Sequence, residues 1–214
     1  MDAAGRANGQ GRQGRTWLAD SPRLFHNPVL DRLSRVHRLV PLLLYAPILV
    51  LLLSVALWRL PFPTVAAGVF GGYILWTLVE YFGHRFLFHY RSRTAAGTRI
   101  QFLIHGVHHD HPNDPLRLVM PPLMSIPIMA AAYGVLRAGC GAEASLPAWA
   151  GFMGGYLFYD MLHYHVHHGR PRTALGRLLR HRHMHHHFRD DTCSFGVSAP
   201  WWDEVFGTSP PARN

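Results

Sequence analysis

Four short stretches of this chain hold thirteen histidines, ten of them at spacings that suit metal ligation: HRFLFH, HGVHH, HYHVHH and HMHHH. In HGVHH, His105, His108 and His109 are three and four apart or adjacent, which puts them on one helical face. His163 and His167 share a face in the same way, and His183, His186 and His187 repeat the H-x-x-H-H spacing. His84 and His89 are five apart, about 140° on an ideal α-helix, poorly placed for one ion but able to flank two. Neutral imidazole suits iron, zinc, copper and nickel. One tetrahedral zinc needs only four ligands, so ten are too many for one ion and suit two. A lone histidine is ordinarily a surface or core residue, and His26 and His37 read that way. His111, His165, His168, His181 and His185 read as neighbours of the site or as surface. Two carboxylates lie close in sequence: Glu80, one turn before His84, and Asp160, three residues before His163. Each can accept a proton from a ligand imidazole and so orient it. Asp114, Arg117, Asp203 and Glu204 read as structural ion pairs.

Apolar helices must hold these clusters. Residues 41–60 carry no charge until Arg59, and residues 64–83 none until Glu80. Two further apolar runs cover 118–136, interrupted by Pro121, Pro122 and Pro127, and 146–162, ending near Asp160. Twenty helical residues reach about 30 Å, the thickness of a bilayer core. Gly68, Gly71, Gly72, Gly151, Gly154 and Gly155 allow close helix contact inside the bilayer. Residues 21–38 alternate apolar residues with Arg23, Arg32, Arg35 and Arg38, the pattern of an amphipathic helix on a membrane surface. The fold class expected is all-α and integral to the membrane, with about four transmembrane helices and a cytoplasmic, His-rich helical cap. Residues 21–208 read as one membrane domain, 1–20 as a disordered tail and 209–214 as a short tail.

Charge sets the orientation. The net charge is +9 with histidine neutral, and every basic residue is arginine. Seven arginines lie in residues 1–40, five in 84–117 and seven in 163–214, whereas the short opposite loops, 61–63 and 137–145, hold only Arg137. The positive-inside rule then places both termini and every histidine cluster in the cytoplasm. Apolar runs and the lack of a recognition motif argue against nucleic acid as the partner. The two cysteines, Cys140 and Cys193, are far apart and read as free thiols.

The stretches WTLVEYFGHRFLFH, HGVHHDHPNDPLRLVMPP, GGYLFYDMLHYHVHHG and HRHMHHHFRDDTCSFGVSAPWWDEVFGT together resemble the fatty acid 2-hydroxylases of the fatty acid hydroxylase superfamily. The likeness runs from about Arg23 to Thr208. Histidine spacing alone is shared with sterol desaturases and carotenoid hydroxylases, while DPLRLVMPP and YDMLHY are more specific. The resemblance implies four transmembrane helices under a cytoplasmic cap and a dimetal site ligated by the ten histidines. It implies O2-dependent hydroxylation of the acyl chain of a membrane lipid, at C2 of a fatty acid or sphingolipid. Two iron ions and O2 are the implied cofactors, and zinc can fill such a site in purified protein. The 40 residues before the first run are too few for the cytochrome domain of many eukaryotic members and hold no His-Pro-Gly-Gly. A separate electron donor, a b-type cytochrome or a ferredoxin with its reductase, is therefore expected. The alternatives are a sterol or carotenoid hydroxylase or desaturase of the same superfamily, or a metal-binding or metal-transport membrane protein. The last needs polar groups at mid-membrane, and the histidines lie outside the runs.

Overall fold

The computed structural model describes residues 17–211, so most of the tail read at 1–20 and the end of the one at 209–214 lie outside the described residues. Among the described residues there are helices, turns and irregular chain, with no strand. A 3-10 turn, Trp17–Ala19, leads to a short helix α1, Pro28–Leu33. The long amphipathic helix expected over 21–38 is replaced by these six residues, for a local reason. Pro22 and Pro28 cannot donate to a helix ladder, and Asn27 caps α1 by accepting from Val29 N and Leu30 N. Asp31 then accepts from Leu24 N at 2.7 Å, which folds the preceding chain back over the helix. Arg117 Nη2 donates to Pro22 O at 2.7 Å and Val36 N to Leu116 O at 2.7 Å, so this segment is tied to the 114–117 loop.

Three helices are long and apolar enough to cross a membrane. They are α2 (Leu39–Arg59), α3 (Phe62–Phe82, continued by a π-helical turn, Gly83–Phe88) and α6 (Pro122–His168). The 47-residue α6 is interrupted at Gly141, whose φ of 78° is open to glycine without a Cβ penalty. Its two arms fold against each other: Trp149 Nε1 donates to Met129 O at 3.1 Å, and the Tyr133 and Trp149 rings lie 4.7 Å apart. The runs expected at 118–136 and 146–162 fall mostly within these arms. The loop expected at 137–145 is helical apart from Gly141, and residues 118–121 are not helical.

Small residues decide how closely α3 and α6 approach. A Cβ on Gly72 would lie 1.8 Å from Ala148 O, and one on Gly151 would lie 2.0 Å from Val69 O. Gly68 and Gly155 are similarly tight against Pro147 and Trp76, whereas Gly71 meets nothing. Next to this contact Trp76 sits edge-on to Phe152 and Tyr156 at 5.2 and 5.3 Å, and Tyr156 edge-on to Tyr45 of α2 at 5.3 Å. Such offset aromatic contacts add to simple burial. Tyr45 satisfies its hydroxyl on Ser125 at 2.8 Å. Leu43, Trp58, Phe62, Phe70 and Val135 point outward, two-thirds exposed or more, as a lipid-facing surface requires.

The remaining helices cover one end of this bundle. They are α4 (Ala95–Gln101), which runs through a second π turn (Phe102–Gly106) into α5 (Val107–Asp110), then α7 (Ala174–Phe188) and α8 (Trp201–Val205). Both cysteines are unpaired, Cys140 exposed and Cys193 buried.

Candidate metal centre

The ten spaced histidines meet under the cap in two groups of five. One comprises His84, His89, His105, His109 and His186; the other comprises His108, His163, His167, His183 and His187. Within each group the potential donor atoms all lie within 4.8 Å of one another. In the first group Nε2 atoms approach at 3.1 Å (His84 and His105), 3.1 Å (His105 and His109) and 3.0 Å (His89 and His186). In the second, His167 and His183 approach at 2.8 Å and His183 and His187 at 3.1 Å. The groups abut, with the His109 and His187 rings stacked 4.3 Å apart.

The two H-x-x-H-H stretches are shared between the groups in opposite senses. His105 and His109 face the first group and His108 the second; His183 and His187 face the second and His186 the first. Side chains at i and i+4 reach one centre, while the side chain at i+3 straddles to its neighbour. His84 and His89 were expected to flank two ions, and this is corrected: both lie in the first group. The chain between them is a π turn, in which His89 N donates to His84 O at 3.2 Å. An i to i+5 bond brings the fifth residue back over the first, which an α-helix does not do.

The groups that orient these rings are not the expected carboxylates. His84 Nδ1 donates to Phe195 O at 2.7 Å and His186 Nδ1 donates to Cys193 O at 2.7 Å. Both carbonyls belong to residues 193–199, all buried. Among the described residues Glu80 makes no hydrogen bond to an imidazole; it accepts from Ser198 N at 2.7 Å and from Ser198 Oγ. Asp160 accepts from Met120 N at 3.3 Å. Asp203 forms no ion pair among the described residues and accepts from Phe195 N and Gly196 N instead. The other three expected ion-pair residues do pair, Arg117 with Asp114 at 3.2 Å and Glu204 with Arg182 at 2.5 Å. Backbone carbonyls have no side-chain signature, so no pattern in the sequence marks Cys193 or Phe195. Outside the two groups, His111 Nδ1 donates to Trp17 O, His185 lies 3.5 Å from Cys193 Sγ, and His26, His37, His165, His168 and His181 are exposed.

The donor set fits two metal ions. Nitrogen donors at about 2.1 Å from one ion and at right angles to each other lie about 3.0 Å apart, close to the Nε2 separations here. In the second group both nitrogens of His108 and the Nε2 of His163 are buried with no hydrogen-bond partner among the described residues. Buried polar atoms without partners are costly, and a metal ion relieves that cost for the nitrogens that face it. Burial, reinforced by neighbouring imidazoles, holds His105, His108, His183 and His187 well below the usual imidazole pKa. His109 is lowered to about 3 and His186 to about 4 by the same burial. All six are therefore neutral at pH 7, the form that ligates.

A cavity of about 90 Å³ borders both groups, reaching His105 of the first and His108 and His163 of the second. Its other walls are mainly apolar, with Phe88, Leu103, Val107, Leu118, Met120 and Met124 prominent.

Comparison with known proteins places this geometry. A fatty acid hydroxylase family model matches residues 69–208. The dihydroceramide fatty acyl 2-hydroxylase FAH2 of Arabidopsis thaliana is 35% identical over 193 residues, 89% of this chain and 81% of that protein. The ceramide very long chain fatty acid hydroxylase SCS7 of Saccharomyces cerevisiae is 39% identical over 64% of this chain, but only 36% of that protein is matched. The fatty acid 2-hydroxylase of Rattus norvegicus is 39% identical over 65% of this chain and 38% of its own length. The chain thus spans most of the plant relative and well under half of the yeast and rat ones. Among solved structures, full-length scs7p with its hydroxylase domain visible superposes with a TM-score of 0.82 at 33% identity. That match covers 87% of this chain and 71% of that one.

Proposed function

The chain belongs to the fatty acid hydroxylase family, and from that premise we propose that it is a di-iron, O2-dependent enzyme that hydroxylates the acyl chain of a membrane lipid at C2. One observation carries the reading: two five-imidazole groups share the wall of a single, mostly apolar cavity. The ten histidines His84, His89, His105, His109, His186, His108, His163, His167, His183 and His187 hold the metals. Two ferrous ions with O2, two electrons and two protons supply the chemistry that turns C–H into C–OH and releases water.

The protein's own task is to bind, orient and exclude. The Phe195 and Cys193 carbonyls fix the tautomers of His84 and His186, so that each presents Nε2. Phe88, Leu103 and Met124 give an acyl chain an apolar wall and keep water from the carbon beside His105, His108 and His163. Holding that carbon in place is itself worth several orders of magnitude in rate. No side-chain acid or base is required next to the C–H bond. A chain already resident in the bilayer reaches the cavity without crossing water. Arginine placement supports a cytoplasmic site with both termini on that side. Electrons arrive there from a b-type cytochrome or from a ferredoxin with its reductase.

Lipid profiling of cells expressing wild type or His108→Ala tests this. Wild type should add 2-hydroxyacyl lipids, and His108→Ala should add none. Equal product from both would defeat the site assignment, and changes confined to sterols or pigments would move the substrate to another branch of the superfamily.

A further inference from the structure

We propose that Asp203 is a positioning residue for one ion of the pair: through the buried loop 193–199 it preorganises the first histidine group, which binds its ion more tightly than the second. The inference rests on the dimetal reading above and concerns what makes the two sites unequal.

A chain of hydrogen bonds links Asp203 to the first histidine group. Asp203 is fully buried. Its Oδ1 accepts from Phe195 N at 2.8 Å and from Thr208 Oγ1 at 2.7 Å, and its Oδ2 from Gly196 N at 2.9 Å. Because Thr208 donates to the carboxylate, it accepts from Tyr81 OH at 2.8 Å, and Tyr81 accepts in turn from Arg85 Nη1 at 2.9 Å. A guanidinium is thus relayed to the buried carboxylate through two hydroxyls. The far end of the loop is held separately by Glu80 on Ser198.

Between these two clamps the backbone has little freedom. Ser194 sits at φ 61°, a conformation that costs a residue with a Cβ and persists only when its surroundings enforce it. A Cβ on Gly196 would lie 2.4 Å from Ala199 O. In this conformation the Cys193 and Phe195 carbonyls meet His186 and His84, both of the first group. A carbonyl only accepts, so each Nδ1 carries the hydrogen and each Nε2 offers its lone pair. The second group has less such support: a backbone group, that of Leu118, lies beside His163 alone, and the Nδ1 atoms of His167, His183 and His187 are buried without partners among the described residues. Groups that orient metal-bound histidines are typically worth 10–100-fold in metal affinity.

The test uses the full chain in detergent, stripped with a chelator and titrated with Zn2+ against a chromophoric competitor. Wild type should take up two ions in steps about 10-fold or more apart. Asp203→Asn keeps the shape and weakens the acceptor; it should weaken the tighter step about 10–100-fold and leave the weaker one unchanged. Two backgrounds assign the step. With the first group disabled by His105→Ala, Asp203→Asn should change nothing; with the second disabled by His183→Ala, it should weaken the remaining step. Thr208→Val, which removes one of the three bonds to the carboxylate, should give a smaller shift with the same selectivity and serves if Asp203→Asn does not fold. Equal weakening of both steps, or equal effects in the two backgrounds, overturns the proposal. Wild type binding fewer than two ions would instead sink the dimetal reading itself.

Discussion

Replacing Gly72 by alanine, with Gly71→Ala as its neighbour and control, tests how the bundle sets the spacing of the metal centre. The new Cβ at position 72 would lie 1.8 Å from Ala148 O and 2.8 Å from Phe152 N. A carbon and a carbonyl oxygen rest at about 3.3 Å or more, so about 1.5 Å has to be recovered. Both obstacles are backbone atoms, and no rotamer change relieves them. The helices must separate or tilt, an overpacking strain of about 1–3 kcal/mol. Alanine's better helix propensity returns only about 0.5–1 kcal/mol. At Gly71 the added methyl meets nothing, so only the propensity gain remains. At about 2–4 °C per kcal/mol for a chain of this size, Gly72→Ala should melt several degrees below Gly71→Ala in the same detergent. The displacement should also reach the site. His84 lies twelve residues further along the helix, about 18 Å away, while His163 and His167 ride on the opposing α6. Metal content measured by atomic emission should therefore fall in Gly72→Ala and stay at the wild-type ratio in Gly71→Ala. Identical melting and metal content in the two variants would refute the claim that this close approach holds the two groups in register.

Acid should destabilise the metal-free protein in a defined window. His109 and His186 have folded values of about 3 and about 4, both below the ordinary 6.5. The unfolded chain therefore takes up protons first, and stability falls as pH drops from about 6.5 toward those values. Denaturant midpoints between pH 7 and 4 check this, and a His109→Ala, His186→Ala double variant should show a shallower slope. Arg180 offers a separate test. Its Nη1 donates to Val166 O, to His167 O at 3.2 Å and to Gly169 O at 2.9 Å, closing the end of α6 where His167 sits. Arg180→Ala should cost about 1.5–3 kcal/mol, the range for a hydrogen bond to a charged group. Thermal melts and Zn2+ titration should show that loss together with a weaker ion at the second group.

Much of the architecture was legible before any coordinate. Uncharged runs long enough to cross a bilayer marked α2, α3 and the arms of α6, because in hydrocarbon a single apolar segment satisfies its own backbone groups only as a helix. Spacings of three, four and, for His84 and His89, five singled out the same ten histidines that gather under the cap. Local spacing specifies an angle on one helix and nothing about what lies opposite. The division of those ten into two interlocked groups of five came only from the way α3, α5, α6 and α7 meet. The π turn at Gly83–Phe88, which brings His89 back over His84, was invisible to a rule built on 3.6 residues per turn. The orienting carbonyls of Cys193 and Phe195 were equally hidden, since every residue carries that group and only the fold decides which ones face a metal ligand. Asp203 was recognisable as a charge, but its work on loop amides rather than on an arginine is set by burial, which tertiary packing alone determines.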